Sequence, residues 1–229
     1  KLLSYVRNCI NQLEKGIKGL VVISEELELQ MDSLFQNKVP EAWKFAYPSL
    51  KPLASWVRDL QSRIAQLRTW SNSTAPTIFW ISGLTYPTGF TTALLQTAAS
   101  VKQCAIDSLN LDTQVVQSEE SEISMPPKEG AYIKGLYLEG GKWDPEEGCL
   151  CEPEPMELTC SMPVIHLKPV KDKKKAKLNI YSCPCYYYSI RAGTRERPSF
   201  MFYVDLKSGE YGPDLWVRRG TALLMNLDN

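Results

Sequence analysis

The 229 residues predict an α+β chain, with an N-terminal α-helical subdomain over residues 1–107 followed by a small antiparallel β-barrel over residues 108–229. Before residue 107, apolar side chains recur at spacings of three and four, the period of a helix with one buried face. After position 125 lie ten of the fifteen prolines, and there apolar residues come as short runs between Gly, Pro and charged clusters, the punctuation of short strands. At this length roughly 70% of the unfolded surface is buried on folding, so a hydrophobic content of 44% supports a sizeable core.

Leu3, Val6, Ile10, Leu13 and Ile17 form one stripe of a first helix, a stripe extensive enough to require a partner surface. Ser24 caps a second helix, with Glu25 and Glu26 in its first turn and Leu27, Met31, Leu34 and Phe35 on its apolar face; Asn37 and Pro40 end it. A third begins near Ser49 and carries Leu53, Trp56, Val57, Leu60, Ile64 and Leu67 on its buried side, with Arg58, Asp59, Arg63 and Arg68 largely outside. A strand over 77–81 precedes a fourth helix, which opens after Pro87 and runs through Phe90, Leu94, Leu95, Ala98 and Val101. The candidate strands that follow are 109–116, 131–138, 163–167, 178–182, 186–190, 200–206 and 215–224, enough to close a small barrel. Between them, residues 119–157 hold eleven acidic side chains against three lysines, and residues 168–177 hold six lysines against Asp172 alone. Both stretches read as surface loops.

Twenty-six basic side chains cancel twenty-six acidic ones, so no global field favours nucleic acid or an anionic membrane. No apolar run reaches the roughly 20 residues that span a bilayer, and charge interrupts the first sixteen residues too often for a signal-peptide core. The chain is therefore expected to be soluble and unsecreted. It opens on Lys1 inside a helical pattern, which reads as part of something longer.

The chemical motifs are weak. Gly140-Gly141-Lys142-Trp143 lacks the hydroxyl that follows the lysine of a phosphate loop and reads as a turn. His166 is the single histidine and lies in an alternating strand pattern, where a structural role is favoured over a catalytic one. Cys149, Cys151, Cys160, Cys183 and Cys185 carry zinc-like ligand chemistry, but one residue between paired cysteines is too short for structural zinc spacing. All seven cysteines are read as cytosolic thiols and no metal site is expected. The lysine run at 168–177 reads as a solvated loop protecting a sheet edge. Two rivals stand beside a non-catalytic reading: a free-standing ligand-binding barrel, and a cysteine hydrolase built on Cys160 or Cys151 with His166.

Particular strings add a resemblance. Val39-Pro40-Glu41-Ala42-Trp43, Ala46-Tyr47-Pro48-Ser49-Leu50-Lys51-Pro52-Leu53 and Ser55-Trp56-Val57-Arg58-Asp59-Leu60 with Arg63 closely resemble the C-terminal region of dynein heavy chains, most like the axonemal branch. Phe79-Trp80-Ile81-Ser82-Gly83, Ala105-Ile106-Asp107-Ser108-Leu109, Gly135-Leu136-Tyr137-Leu138-Glu139-Gly140 with Trp143-Asp144, Met162-Pro163-Val164, Cys183-Pro184 with Tyr186, and Arg219-Gly220-Thr221-Ala222-Leu223-Leu224 follow in the family's order and cover nearly the whole sequence. The sequence departs from the family's usual pattern at 84–91 and in the acidic linker at 117–130.

The resemblance implies a helical subdomain that carries the chain out of the last AAA+ module, then a small barrel lying on the ring. It implies a non-catalytic structural and regulatory element of an axonemal motor, with ATP and Mg bound and hydrolysed by upstream modules and no cofactor in these residues. The implied partners are the AAA+ modules of the same heavy chain and, through the parent complex, dynein intermediate and light chains and microtubules, with no nucleic acid and no membrane. The implied location is the cytoplasm and cytoskeleton, in the axoneme of a cilium or flagellum. Family-motif residues with implied structural roles are Trp43, Tyr47, Pro48, Pro52, Trp56, Asp59, Arg63, Trp80, Gly83, Gly135, Glu139, Gly140, Trp143, Pro184, Arg219 and Gly220.

Overall fold

A computed structural model describes residues 1–49, 51–72, 75–171, 179–187 and 198–225. They fall into two compact units, with the division between Ser62 and Arg63.

The first unit holds helices α1 (Leu2–Ile17), α2 (Glu25–Phe35) and α3 (Glu41–Ala46) and the first part of α4 (Leu53–Asn72). Val6, Cys9 and Leu13 of α1 are buried. Ile10 and Ile17, expected on the same buried stripe, are 49% and 73% exposed. Ser24 caps α2 by accepting the Leu27 N–H at 3.4 Å. The chain leaves α2 through Asn37 in the left-handed region, with φ of 56°. Phe35, expected on the apolar face, is 93% exposed. The one-and-a-half-turn α3 follows Pro40, whose fixed φ suits a helix start, and the Pro40 carbonyl accepts the Trp43 and Lys44 N–H groups. Helix α4 begins at Leu53 rather than near Ser49. Its first closing bond runs from the Trp56 N–H to the Pro52 carbonyl at 2.8 Å, and no Gly or Pro interrupts its twenty residues.

In the second unit, strand β1 (Ile78–Trp80) leads through a one-turn 3-10 helix, Ile81–Gly83, into α5 (Pro87–Lys102). Pro87 stands in the first turn of α5, and Gln103 ends it in the left-handed region. Then come β2 (Asn110–Val115), β3 (Ala131–Lys134), β4 (Tyr137–Glu139), β5 (Lys142–Asp144), β6 (Cys149–Cys151), β7 (Thr159–Ser161), β8 (Ile165–Val170), β9 (Ile180–Tyr187), β10 (Ser199–Lys207), helix α6 (Pro213–Arg219) and β11 (Ala222–Leu224). Three sheets result, in the orders β1-β3-β8-β2, β10-β9-β11-β4-β7 and β5-β6. Their inward side chains, including Ile133, Leu138, Ile165, Leu167, Val204, Leu206 and Leu223, form one core with Trp216 of α6, against which Phe90 and Leu94 of α5 pack.

The α+β class holds, but the expected closed antiparallel barrel does not: the described strands form separate sheets, and two of their pairings are parallel. Strand β1 runs parallel to β3, and β11 runs parallel to β9. Among the described residues, the edge strands β2 and β10 are not paired with each other, nor are β1 and β7. The first of these gaps is the seam between β2 and β10. There the buried Thr113 hydroxyl takes the place of a backbone ladder, accepting the Asp205 N–H at 3.0 Å and donating to the Tyr203 carbonyl at 3.4 Å. The expected strand at 131–138 is broken by Gly135, whose φ of +88° sends β3 and β4 into different sheets. The expected strands 178–182 and 186–190 join through Pro184 as β9, while 188–190 lie outside the described residues. The expected strand 215–224 is α6 followed by β11. Pro213 stands in the first turn of this helix, and Gly220, at φ 66°, ends it with the left-handed residue that favours glycine.

Candidate functional site

The motif residues do not converge on one pocket. Most of them gather into three clusters; in the second and third the polar groups are spent mainly on the protein's own backbone, and in the first on a buried carboxylate as well.

The first cluster is in the helical unit. Trp43 and Trp56 are fully buried and stacked with ring centroids 6.0 Å apart, and Tyr47 meets Trp56 edge-on at 5.6 Å. The Trp56 indole N–H donates to the Tyr47 carbonyl at 3.0 Å. The Tyr47 hydroxyl donates to one oxygen of the buried Asp59 carboxylate, while the Lys51 ammonium lies 3.1 Å from the other. Pro48 and Pro52 bracket the segment that brings Tyr47 back onto α4. A buried carboxylate needs such partners, since an unpaired charge in a low-dielectric interior is strongly unfavourable.

The second cluster joins the later turns of α4 to β1. The Arg63 guanidinium donates to the Gly83 carbonyl at 3.1 Å and lies 5.4 Å from the centre of the Trp80 ring. Ser82 Oγ donates to the Gly135 carbonyl at 2.6 Å. Gln66, absent from the residues singled out by sequence, supplies a two-bond clamp. Its Oε1 accepts the Trp80 N–H at 2.7 Å and its Nε2 donates to the Trp80 carbonyl at 3.1 Å. One side-chain amide thus stands in for a neighbouring strand along the edge of β1. One turn on, Trp70 packs edge-on against Phe79 at 5.1 Å. The available sequence signal was the helical spacing of Arg63, Gln66 and Trp70, which puts them on one face.

The third cluster surrounds α6. Trp216, fully buried, donates its indole N–H to the Ser208 carbonyl at 3.0 Å. Thr221 Oγ1 donates to the Gly140 carbonyl at 3.0 Å, and Gly141 lies against the Trp216 ring. Arg219 lies over that ring at 5.6 Å and pairs with Glu152. Glu139 is exposed on β4, opposite Ala222. Tyr181 donates to the Thr221 carbonyl at 2.5 Å, and burial pushes its phenol up to about 12. Burial pushes the Cys183 thiol up to about 12 as well, and raises Cys185 also. Pro184 stands apart between these two cysteines, opposite Tyr203. Trp143 is buried on β5 and lines a cleft of about 280 Å³, together with Val116, Glu119, Lys134, Met162 and Val164.

The weighed reactive residues are tied into the fold. His166 on β8 lies 2.7 Å through Nε2 from the Glu129 carbonyl, and its ring meets Tyr132 at 5.1 Å. Burial and then the nearby Asp144 raise the thiols of Cys149 and Cys151, which disfavours the thiolate a nucleophile needs. Among the described residues, no group of three or more His, Cys, Asp and Glu could hold a metal ion. Gly140 and Gly141 form the turn expected there, and Lys142 lies 3.3 Å from Glu157 and 3.7 Å from Glu154. Of the lysine run, Lys168 and Lys171 are exposed, and 172–177 lie outside the described residues. Among the described residues, no helix is long and apolar enough to cross a membrane.

Comparison with known proteins matches residues 1–225 to the family model for the C-terminal domain of dynein heavy chains. The chain is 55% identical over 226 residues to the dynein-1-beta heavy chain of the flagellar inner arm I1 complex of Chlamydomonas reinhardtii, a match covering 99% of this chain and 5% of that one. It is 48% identical over 230 residues to dynein axonemal heavy chain 2 of Mus musculus, and 42% identical over 233 residues to dynein axonemal heavy chain 1 of Rattus norvegicus. Each of these matches covers 100% of this chain and 5% of the relative. The chain spans about one-twentieth of the length of these relatives.

Proposed function

The protein belongs to the family of C-terminal domains of dynein heavy chains, and from that premise we propose that it is a non-catalytic structural and regulatory element of an axonemal dynein heavy chain, packing on the AAA+ ring. On this reading, residues 1–107 carry the chain out of the last AAA+ module and the later residues form the β-rich part. ATP and Mg are held by upstream modules. The parent complex contributes the intermediate chains, light chains and microtubules, and the site of action is the axoneme of a cilium or flagellum.

The observation that carries this reading is how the residues of these clusters use their chemistry: the motif residues Trp56, Arg63, Ser82 and Thr221, and beside them Gln66 and Trp216, all donate to backbone carbonyls of their own unit. Such residues fix shape. Apolar side chains left in water on the helical unit, Ile17, Val22, Phe35 and Phe45 at 73 to 93% exposure, suit a surface that meets other modules. The test is nucleotide turnover. A full-length heavy chain lacking these residues is expected still to bind and hydrolyse ATP, and residues 1–229 alone to hydrolyse none. Hydrolysis by the isolated residues, abolished by a single side-chain replacement, would overturn the reading.

A further inference from the structure

We infer that Ser118 is a phosphate-acceptor site for an acid-directed serine/threonine kinase. It stands in Gln117-Ser118-Glu119-Glu120-Ser121-Glu122, with carboxylates at the first, second and fourth positions after it, and no Lys or Arg occurs anywhere from residue 103 to residue 127. A strip of negative charge of this kind is complementary to a basic substrate groove and repels an acidic one. Nearby Ser121 has one acidic neighbour in its next four residues, Glu122, which makes Ser118 the better acceptor.

The fold presents that strip. The backbone leaves β2 at Val115, is pinned once by the Val116 N–H to the Val164 carbonyl at 2.8 Å, and then runs irregularly to a one-turn 3-10 helix at Glu120–Glu122. Every residue from 117 to 122 is exposed. The segment can therefore enter an extended groove without breaking a ladder or opening the core.

In the transfer, the bond between the γ-phosphorus of ATP and its β,γ-bridging oxygen breaks. A bond from Ser118 Oγ to that phosphorus forms, the hydroxyl proton passes to the kinase's base, and ADP leaves. The new group carries a charge of about −1.5 to −2 at pH 7. Ser118, Glu120 and Lys134 line the same cleft, and Lys134 is already paired with Glu120. The phosphate competes with Glu120 for that ammonium.

The test is to incubate the full-length protein with ATP and casein kinase 2, and then sequence the tryptic peptide of residues 103–128 by mass spectrometry. The expected result is one phosphate on Ser118, lost in Ser118→Ala and restored on the threonine of Ser118→Thr. An unmodified wild-type peptide, or equal phosphate in Ser118→Ala, would overturn the assignment. In the phosphorylated protein, phosphorus NMR titration is expected to show the second phosphate pKa rising in Lys134→Met. An unchanged value would overturn the pairing with Lys134.

Discussion

Gly135 and Gly220 share a left-handed backbone, at φ of +88° and +66°, but differ in what surrounds them. A Cβ at Gly135 would come within 2.5 Å of Ser82 Oγ and 2.6 Å of Trp80 Nε1, whereas a Cβ at Gly220 meets nothing within 4 Å. Gly135→Ala therefore combines backbone strain with overpacking and is expected to cost about 2 to 4 kcal/mol. Gly220→Ala carries strain alone, about 1 kcal/mol. Urea unfolding of the two variants reads the difference, and equal losses would contradict the account. The sequence showed both glycines in motifs, but only the tertiary contacts of Trp80 distinguish them. The buried acids Cys183 and Tyr181 give a second prediction at this scale. Their folded values of about 12 stand above the ordinary 9.0 and 10.0. The folded protein thus holds these protons more tightly than the unfolded one. Their contribution is fully present below pH 9 and is lost as pH rises toward 12. The unfolding midpoint is expected to fall across that window, and less steeply in Cys183→Ala.

The elements that were easiest to read from sequence are the long periodic ones. The spacing of Val6 and Leu13, the Ser24 cap and Pro87 placed α1, α2 and α5 close to where they lie. The six-residue α3 is too short to show a period. Trp216 and Val217 suggest a strand by composition, yet Pro213 and Gly220 delimit a helix there. Helix α4 was legible as a helix but not as a clamp, because the partner of Gln66 is the backbone of Trp80, fourteen residues away and invisible to any pattern of side chains. Gln66→Leu removes both bonds and leaves the edge of β1 without its surrogate strand. The expected cost is about 1 to 3 kcal/mol, with faster hydrogen exchange at the Trp80 amide. An unchanged exchange rate would show that the edge does not depend on the clamp.

For the whole molecule, sequence reading reached the α+β class and the family but not the sheet architecture. Alternation and turns identify strands, whereas closure depends on pairings between distant edges. At the β2 and β10 seam the Thr113 hydroxyl bridges edges that a barrel would have laddered. The candidate clusters were similarly half-legible: Trp56, Asp59, Trp80 and Ser82 stood out in strings, while Gln66 and Thr113 acquire meaning only from what they touch. The architecture that results is a set of braced surfaces, and on the proposed reading its effect is exerted on a motor whose chemistry lies elsewhere. The most direct measurement is optical trapping of single full-length motors with and without residues 1–229, alongside their ATPase rate. The account predicts altered stall force or run length with ATP hydrolysis retained. Identical stall force, run length and ATPase rate in the two motors would contradict it.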